Sequence, residues 1–192
     1  MDGMSEQPTV RLSTRPPLRR RRSTWVAVAV VVGVVVAVAL PIFQPWKLFV
    51  DQTVDESVPS APAAQASAGE PAPGPVLLAS GELITHEHAT TGTVQVLRLP
   101  DGSRVLRLED LRTSNGPQLK VWITDAPVIE GTAGWGVFDD GRHVDLGDLK
   151  GNLGSSNYPL PADVDLAQLN SVSIWCDRFN VSFGAATLTP AR

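Results

Sequence analysis

The chain has 192 residues and a formal net charge of −4, a length that fits one folded domain with additional segments. Its single cysteine excludes an internal disulfide framework and a CxxC zinc ribbon. The charge is unevenly placed: residues 1–24 carry six arginines and two acidic residues, whereas residues 76–192 carry nine basic and fourteen acidic residues. The acidic part shows no basic stripe, which argues against nucleic-acid binding.

Residues 1–24 are polar, interrupted by proline, and end in a run of arginines. Such a stretch cannot bury a core, so we predict a disordered basic tail in the cytoplasm. Residues 25–43 follow without a charge, and as a helix they would be about 28 Å long, close to the thickness of the bilayer's hydrocarbon core. With Trp25 and Trp46 at its ends and arginines before it, this segment predicts a transmembrane helix. We therefore expect a single-pass plasma-membrane protein, in contact with lipid through residues 25–43, with its C-terminal domain extracytoplasmic.

The same segment has an alternative interpretation as a signal peptide. Ala37-Val38-Ala39 resembles a cleavage site, and residues 25–36 would be the apolar core of the signal. The apolar run continues past Ala39, and this favours an anchor that is not cleaved. Residues 44–75, rich in Ala, Pro and Ser over most of their length, then predict a flexible linker to an outer domain.

Residues 76–192 form the predicted outer domain, and their apolar pattern is typical of short strands. No stretch keeps a helical period over ten residues, whereas five stretches alternate between apolar and polar residues. These are Thr93–Leu99, Arg104–Asp110, Gln118–Thr124, Ser171–Cys176 and Phe179–Leu188. Pro100-Asp101-Gly102 predicts a hairpin turn, and Asp163–Leu169 one helical turn. We predict an all-β fold, an antiparallel β-sandwich or a barrel-like domain.

The stretch from Ser171 to Ala186 contains the cysteine and is read as two strands with a break between them. In the first strand, Val172, Ile174 and Cys176 are expected on one face, which is apolar, and Trp175 on the opposite face. The parity flips after the break, so that one face of the second strand is expected to hold Phe179, Val181, Phe183 and Ala185. A flip predicts a tight turn or a bulge. Cys176 is therefore expected at a strand end, on the apolar side.

The order of several sequence blocks resembles the DM-thirteen domain family. The blocks are VLRLEDL, NGPQLKVWI, DLGDLKGNLGSSNYPLP and VSIWCDRFNVSFGAATL, together with Gly81, His88 and Gly92. They extend over the whole predicted outer domain. The resemblance implies electron transfer at a cell surface, with Cys176 acting as a thiol or as a haem ligand. DOMON and cytochrome domains, which often accompany this family, have no counterpart in the sequence.

Cys176 is the main candidate for redox chemistry or cofactor binding, with Trp175 and His88 in support. A lone thiol cannot cycle through an internal disulfide, so it would need a partner's thiol, a sulfenic acid, or a bound metal or haem. A reactive thiol also needs a lowered pKa, for which Arg178 is a candidate cation. The alternatives are that Cys176 is a small buried hydrophobe and that no cofactor is bound.

His86 and His88 are weak candidates for metal ligands. One residue separates them, so on a strand both side chains would point to the same face, where Cys176 or His143 would be the candidate for a further ligand. A solvated pair, or a pair satisfied within the core, is the simpler interpretation. His143 is predicted to lie on the surface or in a turn. The sequence has no CxxCH, which excludes covalent c-type haem.

No nucleophile elbow, phosphate-binding loop or carboxylate pair stands out, so we expect that the chain is not an enzyme by itself. The first hypothesis is a membrane-anchored redox or electron-transfer module acting through Cys176, with another envelope redox or membrane protein as its partner. The alternative is a non-enzymatic cell-surface binding module that uses Trp122, Trp135 and the loops. A third hypothesis is a structural part of a membrane complex. The Ala-, Val-, Arg- and Pro-rich composition suggests a bacterial protein.

Overall fold

The structure, a computed structural model, describes residues 18–59 and 74–192, so most of the predicted basic tail lies outside the described residues. The chain divides into two compact units, with the boundary between Ile42 and Phe43. Helix α1, Leu18–Phe43, is rich in valine and contains Pro41 in its last turn. Its part Arg22–Phe43 has a mean hydropathy of 3.0 and is long and apolar enough to cross a membrane. A signal sequence near an N-terminus would meet the same test.

The described residues of the range predicted as a linker contain two short elements. A 3₁₀ turn, Pro45–Phe49, leads to a short strand, β1 (Thr53–Asp55). This strand pairs in parallel with β8 (Leu153–Leu160) in the register Val54↔Gly154. The prediction of a linker missed β1 because three residues are too few to show an alternating pattern.

Ten further strands follow between residues 76 and 190. They are β2 (Val76–Glu82), β3 (Ile84–Thr85), β4 (Thr91–Arg98), β5 (Arg104–Arg112), β6 (Leu119–Thr124), β7 (His143–Asp148), β8, β9 (Ser171–Cys176), β10 (Val181–Thr187) and β11 (Thr189–Pro190). The first sheet has the order β1-β8-β5-β4-β2-β11, and the second has the order β3-β10-β9-β6-β7. Every described pairing except β1 with β8 is antiparallel. The predicted all-β sandwich is confirmed.

Apolar residues of both sheets meet in one core. The first sheet contributes residues such as Val96 and Leu106, and the second contributes Val121, Ile174 and Cys176. A second, smaller cluster lies on the other face of the second sheet and contains Trp122, Trp175, Phe138, Ala126 and Ala185. It is closed by the connection between β6 and β7, residues 125–142, which supplies Ala126 and Phe138. The central strands β6 and β9 of the second sheet are therefore buried on both faces.

The five predicted strands all exist, with ends displaced by at most a few residues. The hairpin predicted at Pro100-Asp101-Gly102 joins β4 to β5, and Gly102 takes a left-handed φ of 85° there. One expected face is wrong. A bulge between Ser182 and Gly184 shifts the register of β10, so that Phe183 faces the main core while Ala185 faces the smaller cluster. An extra residue in a strand reverses the parity of everything after it.

Candidate functional site

Cys176 is held at the end of β9 by pairing on both sides. It lies opposite Val181 of β10 and opposite Leu119 of β6. Residues 177–180 form the turn between β9 and β10. The thiol is fully buried, and its Sγ donates a hydrogen bond to the carbonyl oxygen of Pro117 at 3.2 Å. The predicted position of Cys176, at a strand end and on the apolar side, is confirmed.

The surroundings of Cys176 favour the neutral thiol. Burial raises the pKa of the thiol, and the carboxylates of Glu87 and Asp177 act in the same direction. Backbone N–H groups of Phe179 and Arg178 oppose this shift. The influence of Arg178 on the thiol thus comes from its backbone and not from the guanidinium that the sequence suggested. Because the thiolate is the nucleophilic form, Cys176 is a poor nucleophile in the closed domain.

Trp175 is part of a line of ring contacts on the other face of the second sheet. We call this line the aromatic stack and define it as the rings of His143, Trp122, Trp175, Phe138 and His86. The ring centroids of His143 and Trp122 lie 4.0 Å apart, and those of Trp122 and Trp175 lie 5.0 Å apart. Phe138 meets Trp175 edge-on at 6.4 Å, and it lies 5.7 Å from the ring of His86. The stack therefore runs from an exposed imidazole to a buried one.

His86 is 4% exposed and uses both ring nitrogens. Its Nε2 lies 3.1 Å from the carbonyl oxygen of Ile129, which can only accept, so Nε2 carries the proton. Nδ1 then lies as an acceptor 2.9 Å from the hydroxyl of Ser182, whose one proton is shared between Nδ1 and the carbonyl oxygen of Gly184 at 3.1 Å. Ser173 donates in turn to Ser182 Oγ at 2.9 Å. Burial lowers the pKa of His86, and the bond to Ile129 acts in the opposite direction.

His88 has different surroundings from His86. Strand β3 ends at Thr85, and residues 86–88 form a bend, so the two imidazoles do not share a face. The ring of His88 is partly exposed and lies 3.9 Å from the ring of Phe183, a member of the same core cluster as Cys176. The expected shared face is wrong because the period of two holds only within a strand.

The residues present do not fit a metal or haem site. Within the described ranges, no group of three or more His, Cys, Asp or Glu side chains is placed to hold a metal ion. Both nitrogens of His86 already have partners, and Cys176 Sγ is enclosed by paired strands. An axial haem ligand would have to face an open apolar slot, which the packing around Cys176 does not provide.

A polar cleft of about 570 Å³ lies beside the Cys176 strand end. Its lining includes Gln118 and Asp177, the chain neighbours of Pro117 and Cys176, together with Lys120 and Asp148. Lys120 pairs with Asp148 at 2.8 Å, and Asp177 donates its backbone N–H to the carbonyl oxygen of Gln118 at 3.2 Å. Gln118 adopts a left-handed φ of 54°, a conformation that is costly for a residue other than glycine.

Sequence reasoning missed the partners that complete the aromatic stack. Trp122 and Trp175 both have the parity opposite to the main core, and this is the one local signal that could have paired them. Strand register then places them diagonally, because Trp122 lies opposite Ser173 and Trp175 lies opposite Lys120. Phe138 and the Ser173–Ser182–His86 hydrogen bonds depend on long-range contacts that no local pattern records.

Comparison with known protein families gives a match to a described family. Residues 82–188, more than half of the chain, match the family described as Electron transfer DM13. The matched range contains Cys176, Trp175, His86 and His88, and it confirms the resemblance seen in the sequence blocks. Comparison with curated proteins and with solved structures finds no match. The chain belongs to the electron transfer DM13 family.

Proposed function

We propose that this protein is a membrane-anchored electron-transfer module in which the thiol of Cys176 is the redox group. The observation that carries the proposal is the placement of the only cysteine, which lies inside the matched DM13 range and is fixed between two strands. The two methionines, Met1 and Met4, lie outside that range. Cys176 therefore supplies all the sulfur chemistry of the domain.

The burial of Cys176 determines which redox chemistry suits it. A disulfide with a partner would require a thiolate to reach another sulfur, and the closed core prevents this. One-electron exchange needs no such approach. In that step the thiol gives one electron to an acceptor in another envelope redox protein and becomes a thiyl radical, and its proton leaves along the hydrogen bond to Pro117 O toward the water of the polar cleft beside the strand end. Re-reduction takes one electron from a donor and one proton from water.

Helix α1 would anchor the module in the plasma membrane. Its apolar part, Arg22–Phe43, has the length and composition of a membrane span. The arginines before it in the sequence favour an N-terminus in the cytoplasm and an extracytoplasmic sandwich domain. In this arrangement the domain meets its redox partner on the outer side of the membrane.

Voltammetry of the full-length protein in a supported bilayer tests the proposal. We expect the wild type to show a Faradaic wave in addition to those of its tryptophans and tyrosine, and we expect Cys176→Ser to remove this additional wave, because the serine hydroxyl keeps the hydrogen bond to Pro117 but is not oxidised in that range. Ser156→Ala, which changes a buried small residue in the other sheet, is the matched control and should retain the additional wave. A wild type without the additional wave, or an additional wave that persists in Cys176→Ser, would refute the role of Cys176.

The polar cleft supports a second candidate function, binding of a small polar ligand at the outer surface. Its walls carry both charges, on Lys120 and Asp177, and it is open beside the Cys176 strand end. The aromatic surface first expected for binding is less suitable, because Trp122 is 7% exposed. Thermal-shift measurements with sugars, amino acids and nucleotides test this function. Stabilisation that Gln118→Ala removes would support it, and no stabilisation by any compound would count against it.

A further inference from the structure

We propose that the aromatic stack carries electrons between the edge of the domain and the Cys176 strand, through Trp122 and Trp175. This inference rests on the proposed function, since it names the route of the same electron transfer. A one-electron oxidant of high potential at strand β7, beside His143, takes an electron from Trp122. Trp175 then gives an electron to Trp122. This restores Trp122 and leaves the missing electron, which we call the vacancy, on Trp175.

The register of the second sheet creates this route. Trp122 lies opposite Asp145 of β7, and His143 lies opposite Thr124, so Trp122 and His143 are diagonal neighbours on one face. Trp122 and Trp175 are diagonal neighbours across β6 and β9. Diagonal pairs are within reach of large aromatic side chains. Three rings from three neighbouring strands consequently lie face to face.

The ring orientations suit transfer between the two indoles. The planes of His143 and Trp122 are inclined by only 10°, and those of Trp122 and Trp175 by 22°. Stacked π systems at these separations overlap directly. Phe138 meets Trp175 at 68° and is much harder to oxidise than an indole, so the redox-active part of the stack ends at Trp175.

The two ends of the route differ in exposure. His143 is exposed on β7, which is an edge strand of its sheet. Trp175 is fully buried and precedes Cys176 directly in β9, with its side chain on the opposite face of the sheet. The stack thus joins a site that a partner can reach with the residue next to the buried thiol, which is the electron source in the proposed function.

The indole N–H of Trp122 favours a vacancy that stays mobile. Among residues 18–59 and 74–192, Trp122 Nε1 is a buried donor without a hydrogen-bond acceptor. An oxidised indole that can give its Nε1 proton to a neighbour becomes a neutral radical and holds the vacancy in place. Without an acceptor, Trp122 keeps its proton as the radical cation, so the electron from Trp175 can return it to its original form with no bond made or broken.

A photo-oxidant attached to His143 tests the route in the full-length protein in detergent. A ruthenium polypyridyl complex is coordinated to the exposed imidazole in a His88→Gln background, and flash oxidation then generates the oxidant. We expect the transient absorption of a tryptophan radical cation, and we expect Trp122→Phe to lose most of it. Trp135→Phe, which removes an indole outside the stack, is the matched control and should keep the signal. Trp175→Phe should still form the radical cation on Trp122. The decay of its transient absorption should differ from that of the wild type, because the electron transfer from Trp175 to Trp122 is missing.

Two outcomes would overturn the route. One is a radical yield in Trp122→Phe equal to that of the wild type. The second outcome comes from a variant that keeps all tryptophans, so it remains decisive if Trp122→Phe does not fold. In this variant the ruthenium complex is attached to Arg98→His on β4 of the other sheet, and His88 and His143 are changed to Gln. We expect a much lower radical yield from this position, and an equal yield would refute the route.

The same experiment separates this inference from the proposed function. Cys176→Ser should leave formation of the Trp122 radical unchanged. A lost route with an intact Cys176-dependent voltammetric wave would refute the stack alone. A working route in a protein whose wave does not depend on Cys176 would refute the role of the thiol alone.

Discussion

The buried imidazole of His86 predicts that acid weakens the fold before the carboxylates of the domain are protonated. Burial holds the pKa of His86 below its ordinary value of 6.5. As pH falls below that value, His86 binds a proton in the unfolded chain but stays neutral in the folded domain, so the free energy of unfolding decreases. The stabilising contribution is complete above about pH 6.5 and is lost as pH falls toward the folded pKa.

The size of this effect is bounded by the linkage of one proton. Between the two pKa values, the free energy of unfolding falls by at most about 1.4 kcal/mol for each pH unit. For a domain of this size each kcal/mol changes the melting temperature by roughly 4 °C. Replacing His86 by Gln removes the titration, and it also leaves Ile129 O or Ser182 Oγ without its partner, at about 1–3 kcal/mol.

Thermal unfolding of the full-length protein in detergent, followed by near-ultraviolet circular dichroism between about pH 7.5 and 5.5, measures the effect. The wild type should melt at progressively lower temperature as pH falls, and His86→Gln should start lower and show a flatter profile. His143→Gln, which removes an exposed imidazole from the same sheet, is the matched control. A profile as steep in His86→Gln as in the wild type would show that another group causes the acid sensitivity.

Three further predictions concern single side chains. Cys176 should react with an aromatic disulfide reagent only after denaturation, because burial shields the thiol and raises its pKa, and rapid labelling of the native protein would contradict its position. Gly154→Ala should cost about 1–3 kcal/mol in chemical denaturation, since the φ is 95° and a Cβ would overlap β1; Gly136→Ala, with open space around it, should cost little. Lys150→Met breaks a half-exposed ion pair with Glu56 at 2.8 Å, so it should lower the free energy of unfolding by no more than about 1 kcal/mol. A larger loss would mean that this ion pair stabilises the fold more than an exposed pair does.

The sequence predicted the strands in which apolar and polar residues alternate, and it missed strands without that alternation. Strand β8, Leu153–Leu160, reads as a glycine- and serine-rich loop, yet Ser155 and Ser156 are buried in it. A serine hydroxyl can donate or accept a hydrogen bond, and the Oγ of Ser155 accepts one from the backbone N–H of Asp110. Small polar residues can therefore occupy a central strand where their hydroxyls find partners, and a hydropathy pattern does not register this.

The candidate site was predictable at the level of one residue and its parity. Alternation placed Cys176 on the apolar side of a strand end, and the structure agrees. Its contact with Pro117 and its proximity to Glu87 arise from loops far away in the sequence. The smaller aromatic cluster was missed for a related reason, because the connection at residues 125–142 that covers Trp122 and Trp175 has no regular pattern of its own.

Strand β1 affects where a soluble fragment of this protein can begin. The family match starts at Glu82, the last residue of β2, so a fragment cut there would lack both β1 and β2. Strands β8 and β4 would then each present a row of unpaired backbone N–H and C=O groups, a surface that recruits strands from neighbouring molecules. A fragment that starts before Asp51 would keep both edges covered and should stay monodisperse where the shorter one precipitates.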